Sequence, residues 1–269
     1  MTFAARILST LAESGRLCVG IDPHDGLLDT WNLPRSADGV REFGLRTVDA
    51  VAGRAGIVKP QVAFFERYGS AGYAALEDVL AAARAAGLFV IADVKRGDIG
   101  STMDAYGAAW LTPGSPLEAD AMTAVAYQGL GSLAGPLALA AEHGKGIIVV
   151  TATSNPESIP TQTAVRSDGR TVAAALVDDV RELPGTAALV IGATVELGDY
   201  GLAPADLGDV PILAPGFGAQ GAHLGDLARV FGAAAPRVAV HVSREVLAGG
   251  PEGVAPAVDA LQHELRDLP

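Results

Sequence analysis

The 269-residue sequence predicts an α/β fold: one (β/α)8 barrel domain spanning residues 1–269. Three observations predict it. Eight short, largely apolar runs recur along the chain. Ala/Leu/Glu/Arg-rich stretches with helical spacing lie between them. The length suits one barrel of the TIM type, which typically has about 250 residues.

The first element is N-terminal. MTFAARILSTLAESGR (1–16) reads as a short amphipathic helix, without the apolar core and small-residue cleavage site of a secretory signal. The strand candidates follow: LCVGID (17–22), GIVKPQ (56–61), LFVIADVK (88–95), AMTAVA (121–126), GIIVVTAT (146–153), AALVIGAT (187–194), PILAPGF (211–217) and RVAVHVSR (237–244). Near-continuous apolar runs are what parallel strands need when both of their faces are covered. Helical spacing marks VREFGLRTVDAVAGR (40–54), YAALEDVLAAARAAG (73–87), LAGPLALAAEHG (133–144) and TVAAALVDDVREL (171–183). Strand then helix, repeated eight times, favours the barrel over an open doubly wound sheet. The polar segment SNPESIPTQTAVRSDGRT (154–171) interrupts this pattern after the fifth run. It reads either as a plain surface loop or as a lid over the strand ends.

Composition narrows the function classes. The hydrophobic fraction is 49% and mean hydropathy +0.31, so a large core is expected. Aromatics are only 5%, which leaves Ala, Val, Leu and Ile to fill it. A net charge of −12 argues against binding nucleic acid, because the phosphate backbone would be repelled. The single cysteine, Cys18, excludes an intrachain disulfide and reads as a core residue. No stretch offers 18 uninterrupted apolar residues, so no membrane span is expected and the cytoplasm is the expected location.

Polar residues gather at the C-terminal ends of the runs: Asp22, Lys59, Asp93 with Lys95, Thr151 with Ser154, and Ser243 with Arg244. Any one of them alone reads as a solvated strand end. A barrel, however, aims all of these ends at one mouth, where active sites of this fold sit. Asp93 and Lys95 are two apart, so a strand puts both on one face. Asp98 follows three residues later, and Lys59 ends the neighbouring strand. A lysine between carboxylates stays protonated and can deliver a proton to a developing carbanion. A carboxylate beside a substrate carboxylate favours loss of carbon dioxide, with a pair interaction of about 4 kcal/mol at ~4 Å and an effective dielectric of ~20. The bland alternative is a structural ion-pair network. Arg244, with the glycines and Gln220 of APGFGAQGA (214–222), fits a phosphate grip between the last two strand–helix loops. The five histidines form no metal-ligand cluster at helical spacing, so neither metal nor organic cofactor is expected.

DVKRGDIGST resembles the Asp-x-Lys-x-x-Asp signature of the orotidine 5'-phosphate decarboxylase suprafamily. VGIDP, VKPQVAFFERYG, DAMTAVAYQG, VTATSNPES and LAPGFGAQGA match it in order, from about residue 15 to 250. They are most similar to the longer bacterial branch. Arg96, Gly97 and Gly100 depart from other branches, away from the charged positions. The resemblance implies decarboxylation of a small nucleotide, orotidine 5'-phosphate, to uridine 5'-phosphate. By the same resemblance, Lys95 is the proton donor to pyrimidine C6 and Asp93 the carboxylate crowding the substrate. Lys59 bridges the network to the ribose, and Asp22 accepts from ribose hydroxyls. Ser154 contacts the pyrimidine, while Gln220 and Arg244 hold the phosphate. Asp98 and Thr102 match residues that enter a partner subunit's site, which implies a homodimer with shared active sites. Two rivals remain at this stage: a metal-assisted keto-sugar phosphate decarboxylase of the same suprafamily, and a non-catalytic nucleotide-binding barrel.

Overall fold

The computed structural model describes residues 1–183 and 185–268, and of Gln220 the backbone alone. Eight parallel strands close into a barrel in chain order: β1 (Leu17–Ile21), β2 (Ile57–Pro60), β3 (Phe89–Arg96), β4 (Ala121–Ala124), β5 (Gly146–Ala152), β6 (Ala187–Ile191), β7 (Ile212–Ala214) and β8 (Val238–Val242). Seven lie within one of the eight apolar runs, and β3 extends one residue past its run, to Arg96. The strands are apolar throughout because both faces are covered. In β1, Leu17, Val19 and Ile21 pack outward against the helical ring, whereas Cys18 points into the barrel.

The inner cluster also explains the first helix. Thr2 caps Phe3–Ser14 by accepting from the Ala5 N–H, and Phe3, Ile7 and Leu11 form its buried stripe. These three join Cys18, Ile57, Phe89, Ile91 and Ile148 inside the barrel. Phe3 lies beside Phe89, the first residue of β3, with ring centroids 6.0 Å apart. It also covers Gly146, the first residue of β5, where a Cβ would come within 2.3 Å of the ring. The helix therefore closes the N-terminal end of the barrel, leaving the chemistry to the other end. Complete burial pushes the Cys18 thiol up to about 12, as suits a core residue.

The four helical stretches are present, as Ala37–Val51, Gly69–Ala85, Ala134–His143 and Val172–Arg181. The eightfold alternation is broken once. Between β6 and β7 no α-helix forms among the described residues. Two 3₁₀ turns, Leu197–Tyr200 and Pro204–Leu207, take its place. Gly198, Gly201, Pro204 and Gly208 deny that segment the length and helix propensity it would need. The 154–171 segment is organised rather than loose. It makes a turn of helix at Ile159–Gln162 and a bridge from Val165 to Thr171. Gln162 returns to the end of β5, where its Oε1 accepts from the Thr153 N–H at 2.8 Å. No described helix is long and apolar enough to cross a membrane.

Candidate active site

The period of two in the strands aims Lys59 of β2 and Asp93 of β3 into the barrel, at the C-terminal end. Both are buried, at 4% and 5% exposure. Asp93 Oδ2 accepts from Lys59 Nζ at 2.5 Å, and Asp93 Oδ1 accepts from Lys95 Nζ at 2.5 Å. One carboxylate thus lies between two ammonium groups. Burial alone would raise the Asp93 pKa, but the charges and hydrogen bonds of Lys59 and Lys95 outweigh it and hold the carboxyl well below its usual range. Lys59 mirrors this. Its burial favours the neutral amine, yet Asp93 and Asp22 keep its pKa above the ordinary value. Asp93 and Lys59 are therefore ionised together. Lys59 is enclosed, whereas the Lys95 side chain keeps 48% of its surface exposed and faces the mouth.

Lys95 has an unusual backbone. Its φ is +44°, one of two non-glycine residues in the left-handed region among the described residues. Such a conformation costs of order 1–3 kcal/mol and persists only where the surroundings impose it. Gly97 contributes to that imposition by letting the chain turn against β4; a Cβ there would lie 2.4 Å from the Val125 carbonyl oxygen. Thr123 of β4, 1% exposed, contributes more directly. Its Oγ1 accepts from the N–H groups of Val94 and Lys95, both at 2.9 Å, and donates to Asp93 Oδ1 at 2.9 Å.

Beside the network, a cavity of about 190 Å³ opens between the ends of β1, β7 and β8, lined in part by Asp22, His24, Gly216, His241, Ser243 and Arg244. Asp22 Oδ1, His241 Nε2 and Ser243 Oγ are buried there without partners. Gly20 makes this crowding feasible, since a Cβ at that position would meet His241 Nε2 at 2.7 Å and Ser243 Cβ at 2.8 Å. Burial, and then the Lys59 charge, hold the His241 pKa well below the histidine value, so its imidazole is neutral. Unpaired acceptors and donors that converge on a cavity are polar sites awaiting a polar ligand.

Lys59, Asp93 and Lys95 touch one another, and Asp22 and Arg244 line the neighbouring cavity. Ser154 is exposed just past β5, with its backbone N–H beside Gly192. Asp98 does not complete an alternating network within its own chain. It accepts from the Ile99 N–H at 2.8 Å and makes no ion pair among the described residues. Thr102 is exposed in the helix Gly100–Leu111. The Gln220 side chain lies outside the described residues. Thr123 and His241 are additions. Each is an isolated polar residue inside an apolar run, AMTAVA and RVAVHVSR, and that was the signal that could have found them.

This geometry can be set beside known proteins. The sequence profile of the orotidine 5'-phosphate decarboxylase / HUMPS family matches residues 15–257. The chain belongs to this family. Among its relatives, the orotidine 5'-phosphate decarboxylase of Salinispora tropica is 48% identical, over 94% of this chain and 92% of that one. The Streptomyces coelicolor orotidine 5'-phosphate decarboxylase is 48% identical over 98% and 97%. The crystal structure of a proposed orotidine 5'-phosphate decarboxylase from Streptomyces avermitilis superposes with a TM-score of 0.93 at 45% identity, covering 98% of this chain and 95% of that one. The Leishmania donovani OMP decarboxylase structure gives a TM-score of 0.81 at 29% identity, covering 99% and 98%. A larger hollow of about 450 Å³ opens at the opposite end of this family member's barrel. It is remote from the strand ends, and Arg6 and Arg84 there are already engaged by Asp120 and the Glu118 carbonyl. Among the described residues, no group of three or more His, Cys, Asp or Glu is arranged to hold a metal ion.

Proposed function

We propose that this chain decarboxylates orotidine 5'-phosphate to uridine 5'-phosphate and carbon dioxide, the last step of de novo pyrimidine nucleotide synthesis, without metal or organic cofactor. The observation that carries the reading is the ionised Asp93 carboxylate held at 2.5 Å by both Lys59 and Lys95. A substrate carboxylate placed against Asp93 is repelled by about 4 kcal/mol at ~4 Å and an effective dielectric of ~20. The C6–carboxylate bond breaks, carbon dioxide leaves, and the electron pair remains on C6. Lys95 Nζ then gives its proton to C6 and recovers one from solvent, to which it is open. No electron sink spreads this carbanion, so fixed charges must stabilise it. Barrier lowering by enzymes reaches about 23 kcal/mol for typical references, and this reaction draws on most of that range.

The remaining roles belong to the same proposal. Asp22 and Lys59 bind ribose hydroxyls, Ser154 the pyrimidine, and Arg244 with Gln220 the phosphate. Asp98 and Thr102 serve the site of a second copy in a homodimer. The exposure of Thr102 supports this, as do the exposed apolar side chains Ile99 and Tyr127, at 61% and 82%. The barrel, residues 1–269, acts as one catalytic domain.

The reading is tested by adding orotidine 5'-phosphate to the purified protein in excess EDTA and following its absorbance. Turnover unchanged by EDTA is expected. A protein that retains the nucleotide without turnover would be a binding barrel. Activity lost in EDTA and restored by magnesium would overturn the metal-free reading.

A further inference from the structure

The path of β3 past β4 breaks where the site begins. Ile91 pairs with Ala121 and Ala92 with Met122, but the next pair is Arg96 with Ala124. Strand β3 therefore spends four residues where β4 spends two, and Asp93, Val94 and Lys95 all lie opposite Thr123. A bulge of this kind strips backbone N–H groups of their ladder partners. Here the Thr123 hydroxyl replaces them. A hydroxyl offers one proton and two lone pairs, and all three are used. The lone pairs accept from the Val94 and Lys95 N–H groups, and the proton goes to Asp93 Oδ1, each at 2.9 Å.

One buried oxygen thus fixes both ends of the ion pair. It holds the Lys95 backbone at φ +44°, the turn that folds its side chain back over the site. It also orients Asp93 Oδ1, the oxygen that Lys95 Nζ contacts. The farther end of the bulge is held separately, by Val125 N–H donating to the Arg96 carbonyl at 2.9 Å and Arg96 Nη2 donating to Glu66 at 2.7 Å. Thr123 alone, among these holders, touches both the strained backbone and the carboxylate.

We propose that Thr123 is a positioning residue for the decarboxylation, aiming the Lys95 ammonium at the reacting carbon through the bulge and through Asp93. This rests on Lys95 being the proton donor of the proposed function. Thr123 touches no substrate in this arrangement, so it should shape the chemical step and not ligand affinity.

The test compares Thr123→Val, Thr123→Ser and Lys95→Ala in the full chain. Valine keeps the shape and removes the hydroxyl, whereas serine keeps the hydroxyl. A misplacement of about 1 Å can cost about 100-fold in rate, and a loss of that order in kcat is expected for Thr123→Val. KM and the dissociation constant of uridine 5'-phosphate should stay within about threefold, and Thr123→Ser should recover kcat to within about threefold of wild type. If Thr123→Val fails to fold, Thr123→Ala against Thr123→Ser gives the same contrast. A Thr123→Val protein with a lower melting temperature but unchanged kcat, or a Thr123→Ser protein as impaired as Thr123→Val, overturns the proposal. If Lys95→Ala is inactive in the same series, the proposed function survives that result. If Lys95→Ala itself turns over normally, the proposed function fails and takes the Thr123 proposal with it.

Discussion

His241 stands between the Arg244 side of the mouth and the lysine–aspartate network, 8% exposed and with Nε2 unpartnered. Burial and the neighbouring Lys59 and Lys95 charges keep it neutral, offset only in part by Asp93. The consequence for stability has a definite sign. Above the unfolded pKa of about 6.5, neither the folded nor the unfolded chain protonates this ring. Below it, the unfolded chain takes up a proton that the folded chain refuses, so stability falls as pH falls. Between pH 7.5 and 5.5 this residue should cost up to about 1 kcal/mol, a loss absent from His241→Gln. Urea unfolding of both proteins at the two pH values measures it, and parallel pH dependences would contradict the account. Asp93 acts in a different window. Its folded pKa is depressed, so its contribution is present above the unfolded value of about 4 and is lost only as pH falls further.

At the scale of elements, what could be read from the sequence follows from local rules. The eight strands were legible because burial on both faces leaves an apolar run that hardly depends on tertiary detail. Lys59, Asp93 and Lys95 were legible because strand period and strand-end position suffice to place them at the mouth. Alternation alone predicts a helix between β6 and β7, and Gly198, Gly201, Pro204 and Gly208 overrule it locally. The bulge opposite Thr123 was not legible at all. It depends on the relative register of two strands, which no single run encodes, and so do the left-handed Lys95 and the saturated hydroxyl. The His241 environment likewise needed three strands at once: Gly20 leaves the space, β8 supplies the ring, and Lys59 helps to fix its charge state.

At the scale of the whole molecule, a chain of net charge −12 takes an anionic substrate in the proposed function. The two are compatible because surface charges are screened over about 8 Å at physiological salt, while Lys59, Lys95 and Arg244 act at close range inside the mouth. The proposed dimer makes a second whole-molecule prediction. Lys95→Ala and Asp98→Ala proteins should each be nearly inactive. After subunit exchange at equal amounts, about half the dimers are mixed and each holds one intact site, so about a quarter of wild-type activity should return. No recovery despite demonstrated exchange would place Asp98 in its own subunit's site. The central claim is that the lysine held against Asp93 performs the protonation. The most direct measurement is the kcat of Lys95→Ala on orotidine 5'-phosphate, taken together with its affinity for uridine 5'-phosphate. The account predicts kcat at or below about 1% of wild type with product affinity within about threefold. A Lys95→Ala enzyme that keeps more than a few per cent of wild-type kcat would contradict it.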